Sequence, residues 1–405
     1  MSVRPLHARR TAVIASTILA LSGLAACGGG GSGSGGGGAC QDGKVKIGAL
    51  LPLSGPAAAF GVGLRQTIEF AAGEVNDAGG IAVGDEKCKV EIVDYDTKGT
   101  AEQASTGINK LISQGTKLIW GPNLSQEVTA VQQIAVRNKV LLMQASFSQQ
   151  GLSKDMPLVF ATSTTPSGFS GPMVKWFTET YPDVKKVTVV IPDNQGGKDT
   201  AKINDEEYQK AGIDATVSTF AEGTSDFAPF IDRLLRDDPG AVDLASTPPG
   251  DAGVIIKQLR QAGFDGPVGR IGGEATSAIV KALGGDPKAL GDFFYYAAIN
   301  TEKPSVQEYF KTFEEKYGEE PLAVSAQVLP GARLMLKAID EADSLDPTKV
   351  AKALEKLPID DPTQGKGVWG GKEFYGINHE IIVGFYGGRY QNGELTLTPI
   401  TATTE

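Results

Sequence analysis

The stretch KVKIGALLPLSGPAAAFGVGLRQTIEFAAGEVNDAGG, residues 44–80, decides the fold class. Its first part, Lys44–Leu51, is a short, mostly apolar run that stops at turn residues, which reads as a strand rather than a helix. The turn PLSGPAAAFG follows. From Gly63 to Asn76 the side chains of Leu64, Ile68, Ala71, Ala72 and Val75 recur at helical spacing and form one apolar face, and NDAGG ends the helix. Strand, turn and amphipathic helix together make the opening of a βα unit.

Working outward, the same unit recurs. Lys89–Asp94 reads as a strand, Ala101–Gln114 as a helix with Ala104, Ile108, Leu111 and Ile112 inward, and Lys117–Trp120 as a strand ending in GPNLSQ. Helix Val128–Val136, strand Val140–Met143, the loop QASFSQQG and strand Leu158–Ala161 close the series, and a helix begins at Ser167. A second series runs through strand Lys186–Ile191, PDNQGGKD, helix Thr200–Ala211, Ala215–Phe220 and helix Phe227–Arg236. It continues with strand Ala241–Ala245, STPPGD, helix Ala252–Ala262 and strand Pro267–Ile271. Ser305–Tyr317, Leu329–Glu341 and Pro347–Lys356 read as further helices, and Glu373–Tyr386 with Arg389–Leu397 as a hairpin or extended return. Such alternation predicts an α/β fold of two doubly wound, mostly parallel sheets with helices on both faces.

Charge narrows the partners. The 405 residues hold 38 basic and 48 acidic side chains, a net charge of −10. Residues 1–26 contain Arg4, Arg9 and Arg10 and no acid, so without those three arginines −10 becomes −13. So acidic a surface argues against a nucleic-acid partner. With 41% hydrophobic residues the chain can build a core, which excludes disorder for its body.

The N-terminus reads as an export signal: the three arginines, an apolar run from Thr11 to Ala26 and small residues before Cys27. The segment LAAC at 24–27 resembles the bacterial lipobox. That resemblance implies a lipoprotein signal over 1–26 and a lipidated Cys27 that anchors the chain to the outer face of the cytoplasmic membrane; the alternative is a plain secretory signal releasing a periplasmic protein. Residues 28–38, all glycine and serine, form a flexible tether after it, so that 27–40 is anchor and linker. With Cys27 acylated, Cys40 and Cys88 are the remaining thiols, and an oxidising compartment favours their pairing; two unpaired structural cysteines are the alternative.

The catalytic and cofactor motifs that would support an enzyme are missing from the sequence. There is no GxGxxG after a strand, no P-loop, no GxSxG elbow, no CxxC and no HExxH, and outside the signal His379 stands alone. The expectation is no enzyme, no cofactor and no metal site. A secreted hydrolase is the remote alternative.

The segments already quoted, with VEIVDYDTKGTAEQASTGINKLISQGTKLIWGP, VTVVIPDNQGGKDTAKINDEEYQKAGI and DFAPFIDRLLRDDPGAVDLASTPPGDAGVIIKQLRQAGFDGPV, resemble the type I solute-binding proteins of the leucine/isoleucine/valine-binding kind over most of residues 44–398. The resemblance implies two lobes joined by three crossover segments, closing on a small solute and delivering it to the permease of an ABC importer. It places lobe one at 41–164 with 300–370 and lobe two at 165–299 with 371–405, as a monomer. It also admits a sensory ectodomain working with a receptor. The implied solute is small and polar, an amino acid of the branched-chain or a related type, or a small carboxylate.

Site residues follow from strand ends. Ser54, Ser125 and Ser148 sit in loops after predicted strands, where hydroxyls and helix N-termini suit a carboxylate or similar group, although each also reads as an ordinary cap. The resemblance assigns Ser125, Phe147 and Ser148 to the carboxylate and ammonium end of an amino-acid ligand. On the second lobe it places aromatic residues where this chain has Gly196 and Pro249, and an acid in GRIGGEATS, where Glu274 is the acid present. Asp193 is an alternative acid. Phe147 reads equally as a stacking surface for a solute and as an interface core residue.

Overall fold

Apolar side chains on both faces make Lys44–Leu51 (β1) a central strand, with Val45, Ile47, Ala49, Leu50 and Leu51 fully buried. The computed structural model describes residues 40, 42–55, 57–273 and 275–402. After β1 come α1 (Ala58–Asp77), a hairpin of β2 (Ile81–Val83) and β3 (Glu86–Asp96), α2 (Ala101–Ser113) and β4 (Leu118–Trp120). Then follow α3 (Ser125–Asn138), β5 (Leu141–Gln144) and β6 (Val159–Ala161). Strands β3, β1, β4, β5 and β6 pair in parallel in that order.

The second series is α4 (Pro166–Thr180), β7 (Lys186–Pro192), α5 (Gln195–Lys210), β8 (Asp214–Phe220), α6 (Ala228–Arg236), β9 (Ala241–Asp243) and α7 (Pro249–Gln261). It ends with β10 (Val268–Arg270), α8 (Thr276–Ala282) and β11 (Phe293–Ala297), and the parallel order is β8, β7, β9, β10, β11. Both sheets therefore reverse winding beside their first strand, between β1 and β4 and between β7 and β9. At such a switch point the loops leaving the carboxyl ends of adjacent strands diverge and open a crevice.

The chain then returns through α9 (Pro304–Tyr317), α10 (Ala323–Ala342), α11 (Pro347–Leu354), β12 (Ile359–Asp361), β13 (Gly365–Gly370), α12 (Lys372–Tyr375) and β14 (Glu380–Val383), and ends in the hairpin β15 (Phe385–Gln391) and β16 (Glu394–Ile400). The first sheet has nine strands, β12-β13-β14-β6-β5-β4-β1-β3-β2, and the second seven, β16-β15-β11-β10-β9-β7-β8. Strand β14 pairs with β6 and β13, so the chain passes to the second sheet at Gly384, well after the expected boundary at residues 370–371. Glu373–Tyr386 reads from sequence as part of a hairpin or extended return, but its start belongs to a short helix, Lys372–Tyr375, bracketed by Gly371 and Gly376, both at positive φ.

Helices α1, α3, α5, α7 and α10 begin earlier than their periodicity suggests, and in α1 and α10 a glycine permits it. In α1, a Cβ at Gly61 would lie 2.0 Å from the Pro52 carbonyl oxygen, so the glycine permits a close approach rather than marking a loop. In α10, Gly331 follows the internal Pro330 and lets the helix rest on Thr162, whose Cβ would stand 2.8 Å from an added Cβ.

The connections between the sheets bind one another. Thr164 Oγ1 donates to Ile381 O at 3.1 Å and accepts from Val383 N at 3.1 Å. Glu380, with no exposed surface, accepts from Thr165 N at 2.6 Å and from Ser167 Oγ at 3.1 Å, and burial raises its carboxyl from 4.5 to about 7. Tyr296, before the second connection, stacks on Phe169 at 4.2 Å and accepts from Gln327 Nε2 at 3.0 Å.

Cys40 and Cys88 are joined, with Cα atoms 6.3 Å apart. Cys88 lies within β3 opposite Ile81, not before the strand as its spacing suggested, because the β2–β3 hairpin extends the strand back to Glu86. Residues 1–39, including Cys27, lie outside the described residues.

Candidate functional site

The carboxyl ends of the two sheets supply two walls. On the first, Ser125 opens α3 and is 4% exposed; its Oγ would lie 3.7 Å from a Cβ on Gly196 of the other wall. Phe147, in the loop after β5, is half-buried and meets Phe169 edge-on at 5.7 Å, while its ring edge would be 3.1 Å from a Cβ on Gly273. Ser148 is buried, and its Oγ accepts from Gln150 N at 3.2 Å, which leaves the hydroxyl hydrogen unengaged among the described residues. Ser54 is set apart from these. It is exposed, and its Oγ donates to Asp96 Oδ2 at 2.6 Å, so it fastens the loop after β1 to the end of β3.

The second wall is built from smaller residues. Gly196 lies in the first turn of α5, which Asn194 caps by accepting from Gly197 N at 2.8 Å. Pro249 opens α7 and is half-buried. Ser246 Oγ donates to Gly196 O at 3.5 Å and so joins the two loops. Asp193 is exposed and paired with Lys198 at 2.7 Å, the arrangement of a surface turn. Glu274 lies outside the described residues.

The two walls touch. Gln149 Nε2, from the loop carrying Phe147 and Ser148, donates to Asp199 O on α5 at 2.9 Å, and Lys202 Nζ donates to Gln149 Oε1 at 3.4 Å. The N-termini of α3, α5 and α7 begin in these loops, so the partial positive ends of three helices face the crevice. Hydroxyls, helix ends and one phenyl ring suit the holding of a small polar solute. His379 is elsewhere, buried against Phe160 at 3.8 Å with its ring nitrogens engaged by Val159 O and Glu355, both at 3.0 Å. A separate open depression of about 670 Å3 lies between α4 and the end of β16, beside Lys175, Trp176 and Pro399. One helix and one strand form it, without converging strand ends, so it is a poor match for a solute cleft.

A family model described as "Periplasmic binding protein" matches residues 44–394. The chain belongs to that family. Among curated relatives, the leucine-, isoleucine-, valine-, threonine- and alanine-binding protein of Pseudomonas aeruginosa is 27% identical over 333 residues, covering 80% of this chain and 85% of the relative. The Leu/Ile/Val-binding protein homolog 8 of Brucella abortus is 24% identical over 367 residues, covering 87% and 89%. The same two-lobed fold is seen in the isoleucine complex of LivJ, the branched-chain amino acid transporter substrate-binding protein of Streptococcus pneumoniae, with a TM-score of 0.75 at 22% identity over 89% of this chain and 100% of that one. It also appears in an ABC-transporter solute-binding protein of Rhodopseudomonas palustris in complex with 3,4-dihydroxy benzoic acid, with a TM-score of 0.72 at 18% identity, covering 89% and 98%.

A periplasmic binding protein works outside the cytoplasm, and no described helix here is long and apolar enough to cross a membrane. The family is one of solute-binding proteins rather than enzymes. Several of this binding protein's cleft-forming residues were missed in the sequence. Arg270, 5% exposed, donates from Nε to Gly273 O at 2.9 Å, from Nη1 to Thr247 O and from Nη2 to Gly272 O at 3.4 Å, and so holds two second-wall loops together. An arginine inside the apolar strand PVGRI was the signal. Glu127, fully buried on the first wall, accepts from Thr97 Oγ1 and from Leu124 N at 3.3 Å, and burial raises its carboxyl from 4.5 to about 7. Its place three residues after the N-cap of α3 marks it as a capping acid.

Proposed function

We propose that this protein is the solute-capturing subunit of an ABC importer, taking a small amino acid or carboxylate between its two walls and presenting the closed form to the permease. The observation that carries this reading is the approach of Ser125 Oγ to Gly196 and of Phe147 to Gly273, which brings strand-end loops of both sheets around one crevice. Solutes named for the relatives include both classes: branched-chain amino acids for the Pseudomonas and Streptococcus proteins, and an aromatic acid for one from Rhodopseudomonas. Capture follows from linkage, since a solute touching both walls stabilises the closed form by the difference between its affinities for the closed and open states.

In this reading lobe one is the first sheet with its helices and lobe two the second, and Ser125, Phe147 and Ser148 hold the solute against Gly196 and Pro249. Ser54 and Asp193 are left as framing residues. Cys27 carries the lipid anchor of a monomer, and the Cys40–Cys88 pair is oxidised in the exported protein; intact mass before and after reduction checks both modifications. The functional test is thermal unfolding of the full chain, refolded to strip carried-over solute, against amino acids, aliphatic acids and aromatic acids. A solute at about a hundredfold excess over its dissociation constant adds about 2.7 kcal/mol and raises the midpoint by several degrees. A shift that survives Ser125→Ala and Ser148→Ala together would place the solute elsewhere.

A further inference from the structure

Asp243 is the acid in the apolar segment AVDLA, residues 241–245, and has no exposed surface at the end of β9. Its Oδ1 accepts from two backbone amides of the second wall, Ala245 N at 2.8 Å in the loop after β9 and Ile271 N at 2.9 Å in the loop after β10. Its Oδ2 accepts from Asn204 Nδ2 at 3.0 Å and from Tyr208 OH at 3.4 Å, both on α5. Asn204, fully buried too, also donates to Ile271 O and accepts at 2.7 Å from Ser170 Oγ on α4, the helix that leaves the first connection. Burial raises the Asp243 carboxyl above its ordinary 3.8, and the four donors that oppose the shift are all uncharged.

A carboxyl group so enclosed costs stability, and what it secures here is geometry. Ala245 has a φ of +42°, a left-handed conformation unfavourable for a residue with a Cβ, and its N–H is one of the two that Asp243 receives. From Ala245 the chain turns into Ser246, which donates to Gly196 O, and on to Pro249. From Ile271 it turns into Gly272 and Gly273, the latter beside the Phe147 ring of the first wall. We propose that Asp243 is a positioning residue for solute capture: with Asn204 it locks the loops after β9 and β10 to α5 as one rigid surface, and discrimination between solutes of different size depends on that lock. The inference rests on the proposed solute-binding role of the crevice and names the group that keeps its second wall in shape without touching the solute. Ser170 extends the lock to α4, so the second wall and the helix that leaves the hinge move together on closure.

Asp243→Asn keeps the shape of the side chain and turns one acceptor oxygen into a donor, which must then face another donor. Amide exchange of the ligand-free full chain is read first. The amides of residues 245 and 271 should exchange about tenfold or more faster than in wild type, with those of β7 unchanged. Affinity for leucine, alanine, isocaproate and benzoate is then read by calorimetry at a temperature where both proteins are fully folded. The best of these probes should bind about tenfold more weakly to the variant, and the spread among the probes should narrow. Adding Asn204→Asp to Asp243→Asn sets a carboxylate against an amide again, and should restore much of the loss, which a role in filling space alone would not allow. Exchange at 245 and 271 that is unchanged, or that rises only together with β7, overturns the proposal. Unchanged affinity in Asp243→Asn, with binding that Ser125→Ala does weaken, overturns it and leaves the cleft reading standing. Binding indifferent to both substitutions, or silence from every probe, removes both.

Discussion

The two walls of the crevice come from the same βα construction and differ in what they place at the strand ends. The first offers Ser125, Phe147 and Ser148, side chains fixed by α3, by Phe169 and by a serine turn. The second offers Gly196, Pro249, Gly272 and Gly273, which leave space and present backbone, and it depends on Arg270 to keep two loops in register. Polar side chains on one wall and removed side chains on the other divide the work. In the proposed function the first wall grips groups common to many small acids, and the second sets the volume that distinguishes them.

The largest effect expected of a single change is on the second wall. A Cβ at Gly272 would sit 2.3 Å from the Ala245 carbonyl carbon, so Gly272→Ala must displace the loop that leads to Ser246 and Pro249. Stability should fall by about 1–3 kcal/mol and solute affinity by about 100-fold, measured by thermal unfolding and calorimetry. Unchanged affinity would mean that this loop is no part of the wall. On the first wall Ser125→Ala and Ser148→Ala should each weaken binding by about tenfold, inside the 1–3 kcal/mol that an unanswered polar atom costs, with little change in the ligand-free melting temperature. If only one variant weakens binding, the solute meets one end of the first wall.

The smallest effect on binding belongs to the hinge that both walls share. The folded value of Glu380 is about 7 against an ordinary 4.5, so the neutral carboxyl favours the folded state. Its contribution is fully present below about 4.5 and is lost as pH rises through 7. Glu380→Gln keeps an acceptor for Thr165 N and removes the charge. It should be more stable than wild type at pH 8 by about 1–3 kcal/mol, with a flatter pH dependence between 4.5 and 7 and nearly unchanged affinity. Glu127, shifted in the same direction by burial, would keep a residual slope in the variant. A steeper slope after the substitution would contradict the assignment.

The legibility of the chain follows the same division. Periodic apolar residues announced β1, β7 and the helices between strands, and a serine after a strand announced the first wall, because both signals are local. The hinge was harder to read. Gly384 carries no mark that distinguishes it from the glycines at 370–371, and the pairing of β14 with β6 joins segments far apart in sequence. The second wall was read as missing aromatics, since a glycine states what is absent and gives no sign of what faces it. Asp199 and Gln149 become neighbours only when α5 meets the loop after β5, and no spacing in either segment encodes that contact.

Amide hydrogen exchange, with and without the solute found by thermal shift, tests the two-wall account most directly. Protection should rise together at 123–128 and 146–149 on the first wall and at 194–200, 246–250 and 271–273 on the second, with the strands behind them unchanged. Protection confined to one wall, or centred on the depression between α4 and β16, would contradict it.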